Sequence, residues 1–426
     1  MNFERHSLSA SPITTQRELE KICCRLQSNS TKQKVDALLD AFEYGQAGIE
    51  LIIQALNDHI REVRQSAFLL LSDCHEDIAR QGIWNYLPFR KIQCLHTLTN
   101  FDFNSNYSNL KQRHPDYFAI ADYNNTLICY WDLDYKYSFV NVWDLKTGQQ
   151  RRNLELGTAH EFRLGKNGKV SVISFQDLVW VLDTETHKLI NDDCPDYFIH
   201  TIIPNPHCFT ACPTQNPFLA IGSTVGRNGE FGVWNYETRT RHFYYQFQDF
   251  ALITQYPSWK TSEIQDLLNS VSPLLFTPDG KFLVARFKQQ KYCMLQIWNL
   301  ETGNLVQQLE NLPALTVHSL AIGSDGQVLA CGIRENQVCV WELLSDCIMY
   351  TSSGTAPCLM SFNGRILIYC TDNNEIVIWD LALNSQLCTL QGHTAPIGYI
   401  AMSNDYEFIA SYSIDRSIKI WGLAGD

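Results

Sequence analysis

Residues 392–426 read GHTAPIGYIAMSNDYEFIASYSIDRSIKIWGLAGD, and how this stretch is read decides the fold. Apolar and polar positions alternate through YIAM, FIASYS and IKIW, so three short strands follow one another. No fourth strand follows, because the chain runs only five residues beyond Trp421. A sheet ending at an open apolar edge invites edge-to-edge pairing. The stretch therefore raises two questions: what the sheet belongs to, and where its missing strand comes from.

The first answer lies upstream, where the IKIWG strand has a series of counterparts. They are VNVWDLKTG, FGVWNYETR, LQIWNLETG, VCVWELLSD and IVIWDLALN, centred on Trp143, Trp234, Trp298, Trp341 and Trp379. A further copy, VWVLDTETHKLI, aligns when Leu182 takes the tryptophan position. The spacings are then 39, 52, 64, 43, 38 and 42 residues. Four of them lie near the ~40–45-residue period of a four-stranded propeller blade, and the two long ones call for insertions. TLICYWDLDYKYSFVNVWDL aligns without a gap on KFLVARFKQQKYCMLQIWNL, which puts Trp131 in a second strand. Turn signals fall between first and second strands at Asp279-Gly280, Asp325-Gly326 and Asn363-Gly364, and between second and third at Asn228-Gly229.

Over about 335 residues this pattern resembles the WD-repeat family of β-propellers. The resemblance implies seven four-stranded blades and, in the last repeat, a buried network of His393, Asp415, a serine (Ser411 or Ser413) and Trp421. His393 would bridge to Asp415 and the serine would link to the indole N–H, each bond contributing a net ~0.5–1.5 kcal/mol. Elsewhere that network is eroded. Glu335 and Asn373 stand at the aspartate place, and the Gly-His is missing. The missing strand is expected at 92–97, in KIQCLHTLTNF, which resembles the outer strand SQLCTLQGH that precedes the final repeat. First and last segments then complete one sheet and remove its open edge.

Residues 1–90 have a different period. Val35, Leu38, Leu39 and Phe42 lie at helical spacing, as do Ile49, Ile52, Ile53 and Leu56, and Val63, Ala67, Leu70 and Leu71 continue an apolar face. Gly45 and Gly48 separate the first two helices, and Asn57-Asp58 the next two. LIIQALNDHIREVRQSAFLLL resembles a HEAT-type repeat, with Asp58 in the turn and Arg64 early in the second helix. The expected architecture is mostly β: a small α-helical segment at 1–90, then a seven-bladed propeller at 91–426.

Composition bounds the function. The 426 residues are 45% hydrophobic and 18% charged, too many for one compact core. No run approaches ~20 apolar residues, and residues 1–30 lack the layout of a signal peptide, so a cytoplasmic protein with no membrane span is expected. Fifteen cysteines, among them Cys129, Cys293, Cys331, Cys339 and Cys370, are scattered through apolar runs without framework spacing. Formal charge is −12. Residues 1–90 hold 10 Lys/Arg against 12 Asp/Glu, leaving 23 against 33 for the rest, which argues against nucleic acid as a partner.

No catalytic motif is present, neither Gly-x-Ser-x-Gly, nor a phosphate-binding Gly-x-x-x-x-Gly-Lys loop, nor His-Glu-x-x-His. GSTVGRNGEFG is read as a hairpin within a blade. Cys194, His200, His207, Cys208 and Cys212 lack paired zinc spacing and are read as loop residues. Cys23-Cys24 are read as one exposed and one buried helix position. Neither metal nor cofactor is expected.

What remains is binding. The stretches 98–116, 192–214 and 249–271 all join an outermost strand to the next innermost one, so they enlarge a single face, shared with the hairpins between second and third strands. Candidate contacts there are Tyr256, Trp259 and Lys260, followed by a helix with Ile264, Leu267 and Leu268, and the hairpin residues Tyr135, Arg227, Lys288, Arg334 and Arg416. The expected function is a non-enzymatic scaffold for one or more proteins or peptides. The alternative is an enzyme or small-ligand binder using the central channel.

Overall fold

The computed structural model describes residues 12–86, 92–99, 114–121 and most of 125–423. Outside the description lie 1–11, 87–91, 100–113, 122–124, 133–136, 185–207, 213–215, 248–250, 253–273, 323–326 and 424–426, with scattered single residues and pairs. By internal contact the chain divides into two units, Met1–Lys91 with Leu423–Asp426, and Ile92–Gly422.

The first unit holds five helices, Pro12–Leu26, Thr31–Phe42, Gly45–Ala55, Arg61–Ser72 and Asp77–Asn85. Ser30 caps the second through Gln33 N. Ala37, Leu38, Ile49, Ile52, Val63, Ala67 and Leu71 form its buried stripe. Gly45, at φ +56°, begins the third helix rather than ending in a linker, and Gly48 lies inside it. A Cβ on Gly48 would stand 1.8 Å from the Ala41 carbonyl oxygen, so glycine there is a close-approach residue, not a breaker. Asp58 receives Lys34 Nζ at 2.5 Å and Ile60 N at 2.8 Å. Arg64 reaches Asp58 through its carbonyl oxygen, at 2.8 Å. Cys23 is half-buried and Cys24 exposed.

The second unit is a seven-bladed β-propeller of antiparallel sheets. Blade 1 runs Tyr117–Ala121, Thr126–Asp132, Ser138–Asp144 and Gln150–Gly157. Blade 2 has Ala159–Gly165, Val170–Phe175 and Leu178–Asp183 among the described residues. Blades 3 to 6 follow in order, and their third strands are Asn228–Asn235, Tyr292–Asn299, Gln337–Glu342 and Ile376–Asp380. Each innermost strand neighbours the next around the ring, and the last, Ile397–Met402, returns to Tyr117–Ala121. Blade 7 is completed by Ile92–Leu98, which pairs with Ile418–Leu423 and fills the outer position.

Apolar packing between blades forms the core. Leu127, Trp131, Phe139 and Trp143 of blade 1 meet Phe408, Tyr412, Ile418 and Ile420 of blade 7, and similar clusters lie between blades 1 and 2, 2 and 3, 3 and 4, 4 and 5, and 5 and 6. Trp131 is in a second strand, and Leu182 takes the tryptophan position of blade 2, paired with Ser171. One expected turn is displaced. Val225 pairs with Asn228, so the link between second and third strands of blade 3 is 226–227 and Asn228-Gly229 is already strand.

The residue after each tryptophan ties the turn that follows. Side-chain oxygens of Asp144, Asn235, Asn299, Glu342 and Asp380 each accept two backbone N–H groups from residues two and three further on. In blade 7 that place is Gly422. A Cβ there would lie 2.7 Å from Leu95 of the closing strand and 2.9 Å from Phe408. The closing strand is also held from the side, since His96 Nε2 is 2.7 Å from the Lys146 carbonyl of blade 1 and Lys419 Nζ donates to Thr97 at 3.0 Å.

Candidate functional site

His393, Ser411, Asp415 and Trp421 lie together in blade 7. Trp421 Nε1 donates to Ser411 Oγ at 2.9 Å. Ser411 Oγ is 2.8 Å from His393 Nε2, and His393 Nδ1 is 3.1 Å from Asp415 Oδ2. Two residues not singled out in sequence join them. Thr394 N donates to Asp415 Oδ2 at 2.9 Å, and Ser417 Oγ donates to Asp415 Oδ1 at 2.6 Å. Ser413 instead bonds the Ala395 carbonyl at 2.8 Å and receives Asp415 N at 3.1 Å, which fixes the turn.

The donor pattern assigns the tautomer. The Ser411 proton goes to Nε2, and Nδ1–H donates to Asp415, so a neutral imidazole satisfies the chain from indole to carboxylate. Burial lowers the His393 pKa, overriding the opposite pull of Asp415. Burial alone would raise the Asp415 pKa, but hydrogen bonds from Ser417 and Thr394 and the nearby imidazole hold it below the usual value. Ser411 is fully buried and no solvent path reaches its hydroxyl, so the geometry suits a cross-strand brace and not a nucleophile.

Most other blades lack that hydroxyl. The positions matching Ser411 in strand register are Cys129, Ile221, Ala285 and Tyr369. The buried indole nitrogens of Trp234, Trp298 and Trp379 have no hydrogen-bond partner among the described residues.

The same turn carries Arg416, which is exposed and held at φ +65°; its counterpart in blade 6 is Asn374, at φ +62°. Asparagine tolerates that conformation better than arginine does. Beside it, His114 Nδ1 lies 2.9 Å from the Tyr412 hydroxyl, with the rings edge-on at 5.6 Å. Burial lowers the His114 pKa, and the Arg416 charge lowers it further. His114 leads into the first strand of blade 1 and Arg416 joins the second and third strands of blade 7, so both belong to the face of the long connections.

Of the other candidates, Tyr135, Arg227, Tyr256, Trp259 and Lys260 lie outside the described residues, as do Cys194, His200 and His207. Lys288 and Arg334 are placed by backbone alone, at the ends of Phe282–Gln289 and Val328–Arg334, opposite Cys293 and Gln337. His114 and Tyr412 were not visible in sequence, because their meeting depends on closing blade 7 against blade 1.

At the opposite end of the channel, a cavity of about 240 Å³ opens between the first strands of blades 1, 2, 6 and 7. Ile120, Leu164, Leu359 and Met402 give it an apolar wall, and its described ionisable groups are Tyr117 and Tyr406, both with pKa values raised by burial. Such a lining offers apolar contact and no acid–base pair. Among the described residues there is no cluster of metal-ligating side chains, and no helix long and apolar enough to cross a membrane.

Fold and site together define a seven-bladed β-propeller whose last blade holds a buried His–Ser–Asp–Trp network. The WD domain, G-beta repeat family matches residues 384–422. Protein TPR3 of Oryza sativa subsp. japonica is 21% identical over 49% of this chain and 15% of its own length. DDB1- and CUL4-associated factor 10 of Xenopus laevis is 29% identical over 25% of the chain and 24% of its length. A WD repeat-containing protein 26 homolog of Arabidopsis thaliana is 27% identical over 39% and 29%. The matches thus span less than a third of each of these relatives. The chain carries a WD-repeat match in its last blade and has the fold of a seven-bladed β-propeller.

Proposed function

We propose that this protein is a non-enzymatic scaffold that binds a protein or peptide on the propeller face formed by its long connections. The observation that carries this reading is Arg416. It is an exposed arginine in a left-handed backbone conformation, set in a turn braced by Ser413, Asp415 and Ser417. Strained, rigidly supported positions concentrate where a surface is used, and arginine is a frequent interface anchor. Tyr256, Trp259 and Lys260, on the connection over 249–271, are proposed as further anchors, with Tyr135, Arg227, Lys288 and Arg334 around them.

The helical segment is proposed to hold a second partner or to brace the scaffold. Buried thiols such as Cys129, Cys331 and Cys370 suit a reducing compartment, and we place the protein in the cytosol. One relative is named as associated with DDB1 and CUL4, which makes DDB1 the first partner to try.

The test is affinity capture from the native source and direct titration with DDB1, using the wild type, Arg416→Asp, Trp259→Ala and a variant shortened within 192–207, which spares Cys208–Ala211, the innermost strand of blade 3. The reading expects at least one captured protein to be lost with each change. Retention of every captured protein by all three variants would refute the loop face.

A further inference from the structure

Where third and fourth strands pair, the register slips at the same place in five blades, between Val142/Trp143, Val233/Trp234, Ile297/Trp298, Val340/Trp341 and Ile378/Trp379. The extra residue on the outer strand is Arg151, His242, Val306, Met349 or Leu387. A bulge re-aims its side chain, and in two blades that side chain has an internal task. Arg151 donates through Nε to Asp144 at 3.0 Å, and His242 meets the Leu300 carbonyl of the following blade.

Blades 4 and 5 are different. Val306 is 45% exposed and Met349 54%, and the residues before them, Leu305 and Ile348, are 41% and 47% exposed. Blades 1 and 3 carry Gln150-Arg151 and Arg241-His242 at these places. Blades 4 and 5 therefore each offer two adjacent apolar side chains at the rim, at the bulge itself. Leu383, 54% exposed, extends the patch onto blade 6. These five residues are more than half of the nine large apolar side chains exposed among the described residues, and they fall on three consecutive blades. Such concentration marks an interaction site.

Charge selects the occupant. From Asn299 to Ser353 the chain carries six carboxylates and one cation, Arg334, which lies at the far end of its strand. Glu301 and Asp346 are exposed in the turns just before Leu305 and Ile348, and Glu310 is exposed further along the same outer strand as Leu305. Lys281, in the adjoining hairpin, faces Asp279 at 3.8 Å.

We propose that the rim of blades 4 and 5 is a docking ledge for a basic amphipathic segment of a partner protein, whose apolar side chains cover Leu305, Val306, Ile348 and Met349 and whose cations face Glu301, Glu310 and Asp346. The ledge lies on the side of the turns between third and fourth strands, away from the long connections, so it stands or falls independently of the loop face.

The probe is a fluorescein-labelled amphipathic leucine–lysine peptide about five helical turns long, titrated into the full chain and followed by anisotropy. The rim variant Leu305→Gln, Val306→Arg, Ile348→Gln, Met349→Arg carries blade 1's residues at these positions. It is expected to bind at least about tenfold more weakly, while Glu301→Gln with Asp346→Asn flattens the salt dependence of binding. If the rim variant melts early, Val306→Ser with Met349→Ser reads the same loss. Equal affinity of wild type and rim variants for the peptide overturns the proposal. So does a wild-type dimer in sedimentation that becomes monomeric in the rim variant, since the occupant would then be a second copy of the chain.

Discussion

The imidazole of His96 fills the space beside Gly148. A Cβ on Gly148 would lie 2.6 Å from His96 Cγ, and the glycine itself is held at φ +66°. His96 belongs to the strand that completes the last blade and Gly148 to a turn of the first, so this contact locks the ring from outside. Gly148→Ala is expected to destabilise by about 2–3 kcal/mol, combining overlap with left-handed strain. In a His96→Ala background the contacts with the ring disappear, while the contact with the Cβ of residue 96 at 3.0 Å and about 1 kcal/mol of backbone strain remain. Urea denaturation of the four-member cycle measures the coupling.

Ser411→Ala removes the acceptor for Trp421 and the donor to His393. Two buried groups are then unsatisfied, and a loss of about 2–4 kcal/mol follows. Ala285→Ser in blade 4 is the converse case, because it offers a hydroxyl at the matching position beneath the indole of Trp298. Thermal melts of the two variants should move in opposite directions, and a Ser411→Ala midpoint equal to wild type would remove the brace from the account.

Folded His393 resists protonation while the unfolded chain accepts a proton near pH 6.5. The unfolded state therefore binds more protons as pH falls below 6.5, and stability declines from there down to the folded pKa. His114 is shifted in the same direction and adds to the slope. Asp415 acts lower: its stabilisation is complete above 3.8 and is lost as pH falls through its depressed folded value. Denaturation midpoints between pH 7.5 and 5 should fall less steeply for His393→Gln than for wild type.

Arg365 donates to Asp380 through Nε at 3.0 Å and Nη2 at 2.8 Å, with Asp380 fully buried. Arg365→Met strands that carboxylate and is expected to cost about 3–5 kcal/mol. Arg365→Lys recovers only part of this, because a single ammonium cannot reproduce the fork. Chemical denaturation of both variants checks the order.

A fragment spanning 99–426 lacks Ile92–Leu98 and bares the edge of Ile418–Leu423. It should aggregate, whereas the full chain stays monodisperse in light scattering. A soluble, cooperatively unfolding fragment would show that the clasp is dispensable.

The architecture was legible because a tryptophan strand repeats with its turn, and the closing strand because Ile92–Leu98 resembles Ser385–Leu390, the strand in the same position of blade 6. The turn of blade 3 was misplaced for a physical reason. Asn-Gly is a strong hairpin signal, but pairing Phe231 and Val233 with Gly222 and Ala220 sets the register two residues away. The recurrent bulge was invisible because it belongs to the pairing of two strands and leaves no mark on the period of either. Nothing in the sequence marks Arg365 and Asp380 as a pair, because only the sheet brings them together. At the loop face, sequence singled out Arg416 but not His114 and Tyr412, which only ring closure makes neighbours.

The closing strand also sets an order of events in time. Thr97 and Lys419, in contact in the finished sheet, are 322 residues apart in the chain. During synthesis the first six blades emerge and can pair locally, while Ile92–Leu98 waits for a partner strand made after all of them. Closure thus rests on contacts of high sequence separation, which form slowly. A chaperone that shields Ile92–Leu98 during that interval would govern the yield of folded protein without touching any blade.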